Sequence, residues 1–424
     1  MSIKQKSIDI FLFSTLFLFF SAINCQTPTK DQKVSFEEKK DIIVGANQTE
    51  KYINLLKDRN IALVANHTSV IFKNDKTNSD YQHLVDSLLS LKINIMKVFA
   101  PEHGFRGTAD AGEQISDISD PKTGLPIISL YGKNKKPTPA QLYNYKKPTP
   151  AQLNNVDVLV FDIQDVGVRF YTYISTLFNV MEACAENGIP VIVLDRPNPN
   201  GHYVDGPVLQ KESKSFAGIG PIPLVYGMTI GEYGKMVNGE KWLKDGIQCD
   251  LTVIPLKNYT YTSTYSLPLR PSPNLPNDKS INLYASVCMF EGTNVSCGRG
   301  TEKQFQIFGS PYLPKDTYTY TFSPQPNFGS KTPRYLNEEC YGLDLSETEN
   351  LSSLNFSWLI NAYKATAEKD KFFREEKFNK LAGTVILKEQ IEQGLTVEEI
   401  KASWQKELTA FKKIRKKYLL YQAE

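Results

Sequence analysis

The segment APEHGFRGTADAGE (residues 100–113) sets Glu102, His103, Arg106 and Glu113 among three glycines, directly after the apolar run INIMKVF. Three other apolar runs end in the same way. NIALVAN closes on Asn66 and continues with His67 and Thr68. VDVLVFD runs into DIQDVGVRFYTY, with Asp162, Gln164, Asp165, Arg169 and Tyr171. IPVIVLD runs into DRPNPNG, with Asp195, Arg196 and Asn198. Carboxylates and arginines with aromatic neighbours suit general acid–base work on a sugar. Other chemistries lack their residues. There is no GxGxxG and no GxxxxGK[ST] to cradle a dinucleotide or a phosphate, and no GxSxG elbow for a serine nucleophile. No HExxH occurs, and four histidines scattered over 424 residues show no metal-ligand spacing. Neither a metal nor a cofactor is expected.

Such groups need a rigid frame to converge. The runs at residues 60–66, 93–100, 156–162 and 189–195 read as near-continuous apolar strands. Helical patterns lie between them at 81–91 and in VRFYTYISTLFNVMEACAENG, which Gly188 stops. Apolar strands alternating with helices predict a parallel sheet covered on both faces. In such sheets ligands bind outside the carboxyl ends of the strands, so four polar clusters at that edge imply one shared site. After about residue 256 the chain becomes rich in Tyr, Thr, Ser and Pro. It ends in a helix opened by Thr396 with Glu399 three residues on, a capping box. The expected fold class is α/β, a parallel-sheet domain over 41–255 followed by a smaller α+β domain over 256–424.

Composition is ordinary for a globular chain, with 41% hydrophobic and 22% charged residues and a net charge of +3. No nucleic-acid partner is implied. The basic cluster FKKIRKKYLLY reads as the solvated face of the last helix, whose other side carries Ile400, Trp404, Leu408, Phe411 and Ile414. The lysine-bearing start and the short apolar run IFLFSTLFLFF read as an export signal over residues 1–25. Cys25, right after the apolar core, points to lipoprotein processing and a membrane anchor, with residues 26–40 as a polar tether. The expected location is the cell envelope. The five remaining cysteines, an odd number without CxxC spacing, read as small core residues. KKPTPAQL occurs at 135–142 and again at 146–153. It reads as a local duplication, each copy with Thr-Pro at a helical start.

The blocks APEHGFRGTADAGE, VLVFDIQDVGVRFYTYIST, VIVLDRPNPNG, YGMTIGEY and PSPNLP…FEGTNVSCGRGTEKQF, in this order, resemble the NamZ-type exo-β-N-acetylmuramidases. The resemblance implies a Rossmann-like N-terminal domain, an auxiliary C-terminal domain and an active site in the cleft between them. It also implies release of N-acetylmuramic acid from non-reducing ends of peptidoglycan fragments by hydrolysis of a β-1,4 bond. Its Pro-Glu-His-Gly motif makes Glu102 the catalytic residue, here the general acid, with His103 orienting it or touching the sugar. Glu113, Asp162 and Asp165 are candidates for a second carboxylate, although acids at strand ends also cap helices. A fixed cation must read the lactyl carboxylate of muramic acid, and Arg106, Arg169, Arg196 and Arg299 form the pool. Asn66, Tyr171 and Asp195 belong to the same edge, while Asn274 and Glu291 are expected to close the cleft from the C-terminal side. A lipid-anchored muropeptide-binding protein without catalysis would share the signal, the cleft and the arginines. A nucleotide-dependent oxidoreductase is disfavoured by the missing glycine fingerprint.

Overall fold

Alternation within the strands decides how the sheet is covered. In β1 (Ile61–Ala65), Ala62 and Val64 join one apolar cluster while Ile61, Leu63 and Ala65 join another on the opposite face. Both faces are therefore dry, which explains the unbroken apolar runs. The computed structural model describes residues 40–73, 80–106, 117–130 and 147–422. Glu113, Cys25 and the first KKPTPAQL copy lie outside them. In the second copy Thr149 caps the helix Pro150–Leu153 and Gln152 returns the bond, with Pro150 in the first turn.

Next come β2 (Val70–Phe72), β3 (Tyr81–His83), β4 (Ile95–Ala100), β5 (Ile118–Ser119), β6 (Pro126–Ser129), β7 (Val158–Asp162), β8 (Val191–Leu194) and β9 (Leu251–Ile254). The central sheet runs β5-β6-β4-β1-β7-β8-β9, parallel throughout except for β5 at the edge. From β1 the chain builds outward through β4 and β6, then returns to the other side of β1 with β7, β8 and β9. This is the doubly wound Rossmann-like order, and its switch point falls between β1 and β7. The fold class is thus α/β with a parallel sheet, as the sequence implies. Two details differ from the sequence reading. The helix expected over 81–91 covers Leu84–Ser90 only, because Tyr81–His83 pairs antiparallel with β2 and the His83 ring caps the helix at Val85 N. The last helix is two, Val397–Ser403 and Gln405–Arg415, broken at Trp404, although Ile400, Trp404, Leu408 and Phe411 are all buried and the Thr396–Glu399 box is formed.

The smaller C-terminal region holds a three-stranded antiparallel sheet, β10 (Ile307–Ser310), β11 (Tyr320–Phe322) and β12 (Cys340–Asp344), in the order β10-β12-β11. Its helices and aromatic residues extend the first cluster: Phe290, Phe308, Phe356, Phe372 and Phe378 join Val64, Phe99 and Phe161 in one core. Residues 41–424 accordingly form one unit. The C-terminal end is tied back to the main sheet, with Leu420 N donating to Glu232 Oε1 at 2.6 Å and the Tyr421 hydroxyl donating to Asp195.

Candidate active site

Pro101 follows β4 at once and, lacking an N–H, ends the ladder there. Its carbonyl accepts from Gly104 N at 3.0 Å, closing a turn around Glu102 and His103. His103 (φ 68°) and Gly104 (φ 76°) both adopt the left-handed conformation. For histidine that conformation costs about 1 kcal/mol and persists only where the surroundings hold it. Glu102 is left partly exposed at the sheet edge and His103 is buried.

The loop after β7 supplies the fittings. Thr172 Oγ1 donates to Glu102 Oε2 at 2.7 Å, and the Tyr173 hydroxyl lies 3.4 Å from the Glu102 carbonyl. Asn66 Nδ2, from the end of β1, donates to that hydroxyl at 3.0 Å. Burial and then the Glu102 charge push the Tyr173 phenol up, so it remains a donor. Tyr171 packs edge-on against Tyr173 at 4.9 Å and donates to Pro271 O at 2.7 Å. Three strand ends therefore converge on Glu102, with Thr172 on its carboxyl group and Tyr173 on its backbone carbonyl.

Glu102, His103 and Tyr171 line a cavity of about 580 Å³ whose far wall is C-terminal. That wall carries Asn274, Tyr284 and four cations: Arg299, Arg334, Arg374 and Lys377. It also carries Glu291, whose Oε1 accepts from Arg299 Nε at 2.6 Å and from the Cys297 thiol at 3.1 Å. Oε2 accepts from Lys377 Nζ at 2.7 Å. Burial alone would raise the Glu291 pKa, but Arg299 and Lys377 outweigh it and hold the carboxyl well below the usual range. Asn274 Nδ2 donates to Gly329 O, fixing one loop of the rim. The volume is in the usual range for a ligand site, about 300–1,000 Å³.

Two family models match the chain: the N-terminal part of the exo-β-N-acetylmuramidase NamZ over residues 61–279 and its C-terminal part over 282–421. The chain belongs to the NamZ family. The peptidoglycan β-N-acetylmuramidase NamZ of Bacillus subtilis is 38% identical over 432 aligned positions, covering 97% of this chain and 99% of that one. Two crystal structures of DUF1343 family proteins from Bacteroides fragilis share the fold. The first is 45% identical with a TM-score of 0.77, covering 91% of this chain and 100% of its own. The second is 28% identical with a TM-score of 0.74, covering 90% and 99%.

In this NamZ-family chain the residues singled out by sequence divide into two groups. Glu102, His103, Tyr171, Asn274, Glu291 and Arg299 line the cavity. The other described ones do not line it. Asn66 sits behind Tyr173, its Oδ1 accepting from Thr68 N at 2.9 Å. Arg106 pairs with Asp120 at 2.6 Å and lies over the Phe105 ring. Asp162 and Arg196 form a buried two-bond pair, Nε to Oδ1 at 2.6 Å and Nη2 to Oδ2 at 2.9 Å. Burial lowers the Arg196 pKa, but the Asp162 charge outweighs it and the guanidinium stays ionised. Asp165 takes the Tyr226 hydroxyl and Gly167 N, and burial pushes its pKa up to about 7. Asp195 accepts from Gly231 N and Thr229 Oγ1 at the start of the helix Ile230–Gly239. Arg169 is fully buried and donates to four carbonyls, Pro207, Ile222, Leu381 and Ala382, tying the C-terminal helices to the sheet domain. Sequence reasoning missed Thr172, although it lies inside the FYTY block, and Arg334, Arg374 and Lys377, which carry no strand-end signal.

Proposed function

We propose that the chain is an exo-acting glycoside hydrolase that releases N-acetylmuramic acid from the non-reducing ends of peptidoglycan fragments, cutting a β-1,4 bond with Glu102 as the general acid. The observation that carries the reaction class is the end-to-end likeness, 38% over 97% of the chain, to a peptidoglycan β-N-acetylmuramidase. Glu102 is supported by its place. Among the described residues it and Glu291 are the two carboxylates on the cavity wall, and both Glu291 oxygens are already taken by fixed partners. Thr172 orients the Glu102 carboxyl, and a threonine hydroxyl can donate or accept, so it serves either protonation state. Turnover needs both states in alternation. Tyr171 and Tyr284 on the cavity wall supply aromatic surface against which a sugar ring packs.

Digestion of defined glycan fragments tests this reading. Chains beginning with N-acetylmuramic acid should lose that sugar as a free monosaccharide. Chains capped by N-acetylglucosamine should resist until the cap is removed. Internal fragments would contradict exo-action, and tight binding without any product would favour the non-catalytic muropeptide-binding protein. Export with a lipid anchor at Cys25 completes the proposal and rests on the N-terminal sequence. Cys25→Ser should move the protein from the membrane fraction to the soluble one.

A further inference from the structure

We infer that Arg299 reads the lactyl carboxylate of the terminal N-acetylmuramic acid, and that Glu291 is its positioning residue and not the second catalytic carboxylate. This rests on the function proposed above. Muramic acid differs from glucosamine by that one anionic group, so selection between them needs a cation held still within the cavity.

Among the described residues four cations line the wall, and their existing bonds separate them. Arg334 donates through Nη1 to the carbonyls of Thr293 and Val295 and through Nη2 to that of Glu291, so its fork is used in holding the loop. Lys377 closes on Glu291 Oε2 and offers a point charge without a fork. Arg374 is exposed, and its guanidinium makes no hydrogen bond or ion pair to a described residue, so no described residue holds it in one place. Arg299 is both held and available. Its Nε is fixed by Glu291 and its Cζ lies 5.0 Å from the centre of the Phe305 ring, while neither Nη bonds to a described residue. The side chain keeps 23% of its surface open.

The backbone is shaped for the same end. Gly298 (φ 79°) and Gly300 (φ 78°) flank Arg299, both left-handed. A Cβ on Gly298 would come within 2.6 Å of Ile307, and one on Gly300 within 2.5 Å of Pro333. The Gly-Arg-Gly turn is therefore locked by packing on both sides of the arginine. Glu291 could not easily act on the sugar, since Arg299, Cys297 and Lys377 hold its two oxygens. Its geometry is that of a bracket which aims the remaining donors of Arg299.

The test compares an aryl β-N-acetylmuraminide with the same glycoside bearing a primary amide in place of the lactyl carboxylate, with kcat and KM measured separately. The wild-type protein should prefer the acid by roughly 10- to 100-fold in kcat/KM, the range of a hydrogen bond to a charged group. Arg299→Gln should abolish the preference, with the loss appearing in KM for the acid. Arg299→Lys should restore part of it. Glu291→Gln should weaken the preference with kcat within about threefold, whereas loss of a catalytic carboxylate would lower kcat on both substrates about 100-fold or more. Arg374→Gln should keep the preference. Three results overturn the inference: an Arg299→Gln protein that still selects the acid, an Arg374→Gln protein that does not, or a wild-type protein that cleaves both substrates equally. A wild-type protein that cleaves neither removes the proposed function and the inference with it.

Discussion

At the ends of β7 and β8 a carboxylate meets an arginine, and in the loop around Glu291 another pair does the same. Asp162 and Arg196 are 0% and 3% exposed; their two bonds and the Val70 carbonyl occupy both groups inside the protein. Glu291 and Arg299 keep 17% and 23% of their side-chain surface, and they border the cavity. The first pair joins strands and the second faces a ligand space. Both are carboxylate–guanidinium pairs, so what separates structure from function here is how many donors remain after the fold is satisfied.

Removing one partner from each pair should expose this difference. Arg196→Met leaves Asp162 buried and unpaired and should cost about 3–5 kcal/mol in chemical unfolding. Arg299→Gln leaves Glu291 with Lys377 and an open side, and should cost about 1–2 kcal/mol. Equal losses would erase the distinction between a closed and an open pair.

Asp165 is a second buried carboxylate behind the cavity, and it has a pH signature. Its folded pKa is raised from 3.8 to about 7 by burial, so the folded protein holds a proton that the unfolded chain releases. The stabilising contribution is full below about pH 4 and is lost as pH rises through 7, at most about 4 kcal/mol. Glu232, also raised to about 7 by burial, acts in the same direction. Asp165→Asn should flatten the fall in stability between pH 4 and 7, measured by thermal unfolding across that range. An unchanged slope would show that Asp165 is ionised in the fold. At the far end of the chain, Thr396→Ala removes the cap of the helix Val397–Ser403 and should cost about 1 kcal/mol without altering kcat. A change in kcat there would mean that the C-terminal helices act on the site.

The fold was legible where burial is complete. β1, β7 and β8 are dry on both faces, and their apolar runs show it. β9 was missed because Leu251–Ile254 is a short edge strand with only Ile254 buried, and β5 because it is two exposed residues long. The site was legible in position and less so in membership. A strand end places a polar side chain at the ligand edge, but that edge also needs polar groups to satisfy its own loops and helix starts. Asp195, Asp165 and Arg169 are used in that way, and only tertiary contacts reveal it. Arg334, Arg374 and Lys377 reach the cavity through the packing of the C-terminal region against the sheet domain, so no local pattern marks them.

The central claim, that Glu102 protonates the leaving oxygen, is tested most directly by leaving-group dependence in Glu102→Gln. A saccharide leaving group needs that proton, and a nitrophenolate scarcely does. The variant should lose about 10²- to 10⁴-fold in kcat on a disaccharide beginning with N-acetylmuramic acid. It should lose much less on the nitrophenyl muraminide, with binding of N-acetylmuramic acid unchanged. Equal losses on both substrates, or full turnover of the disaccharide, would contradict the assignment.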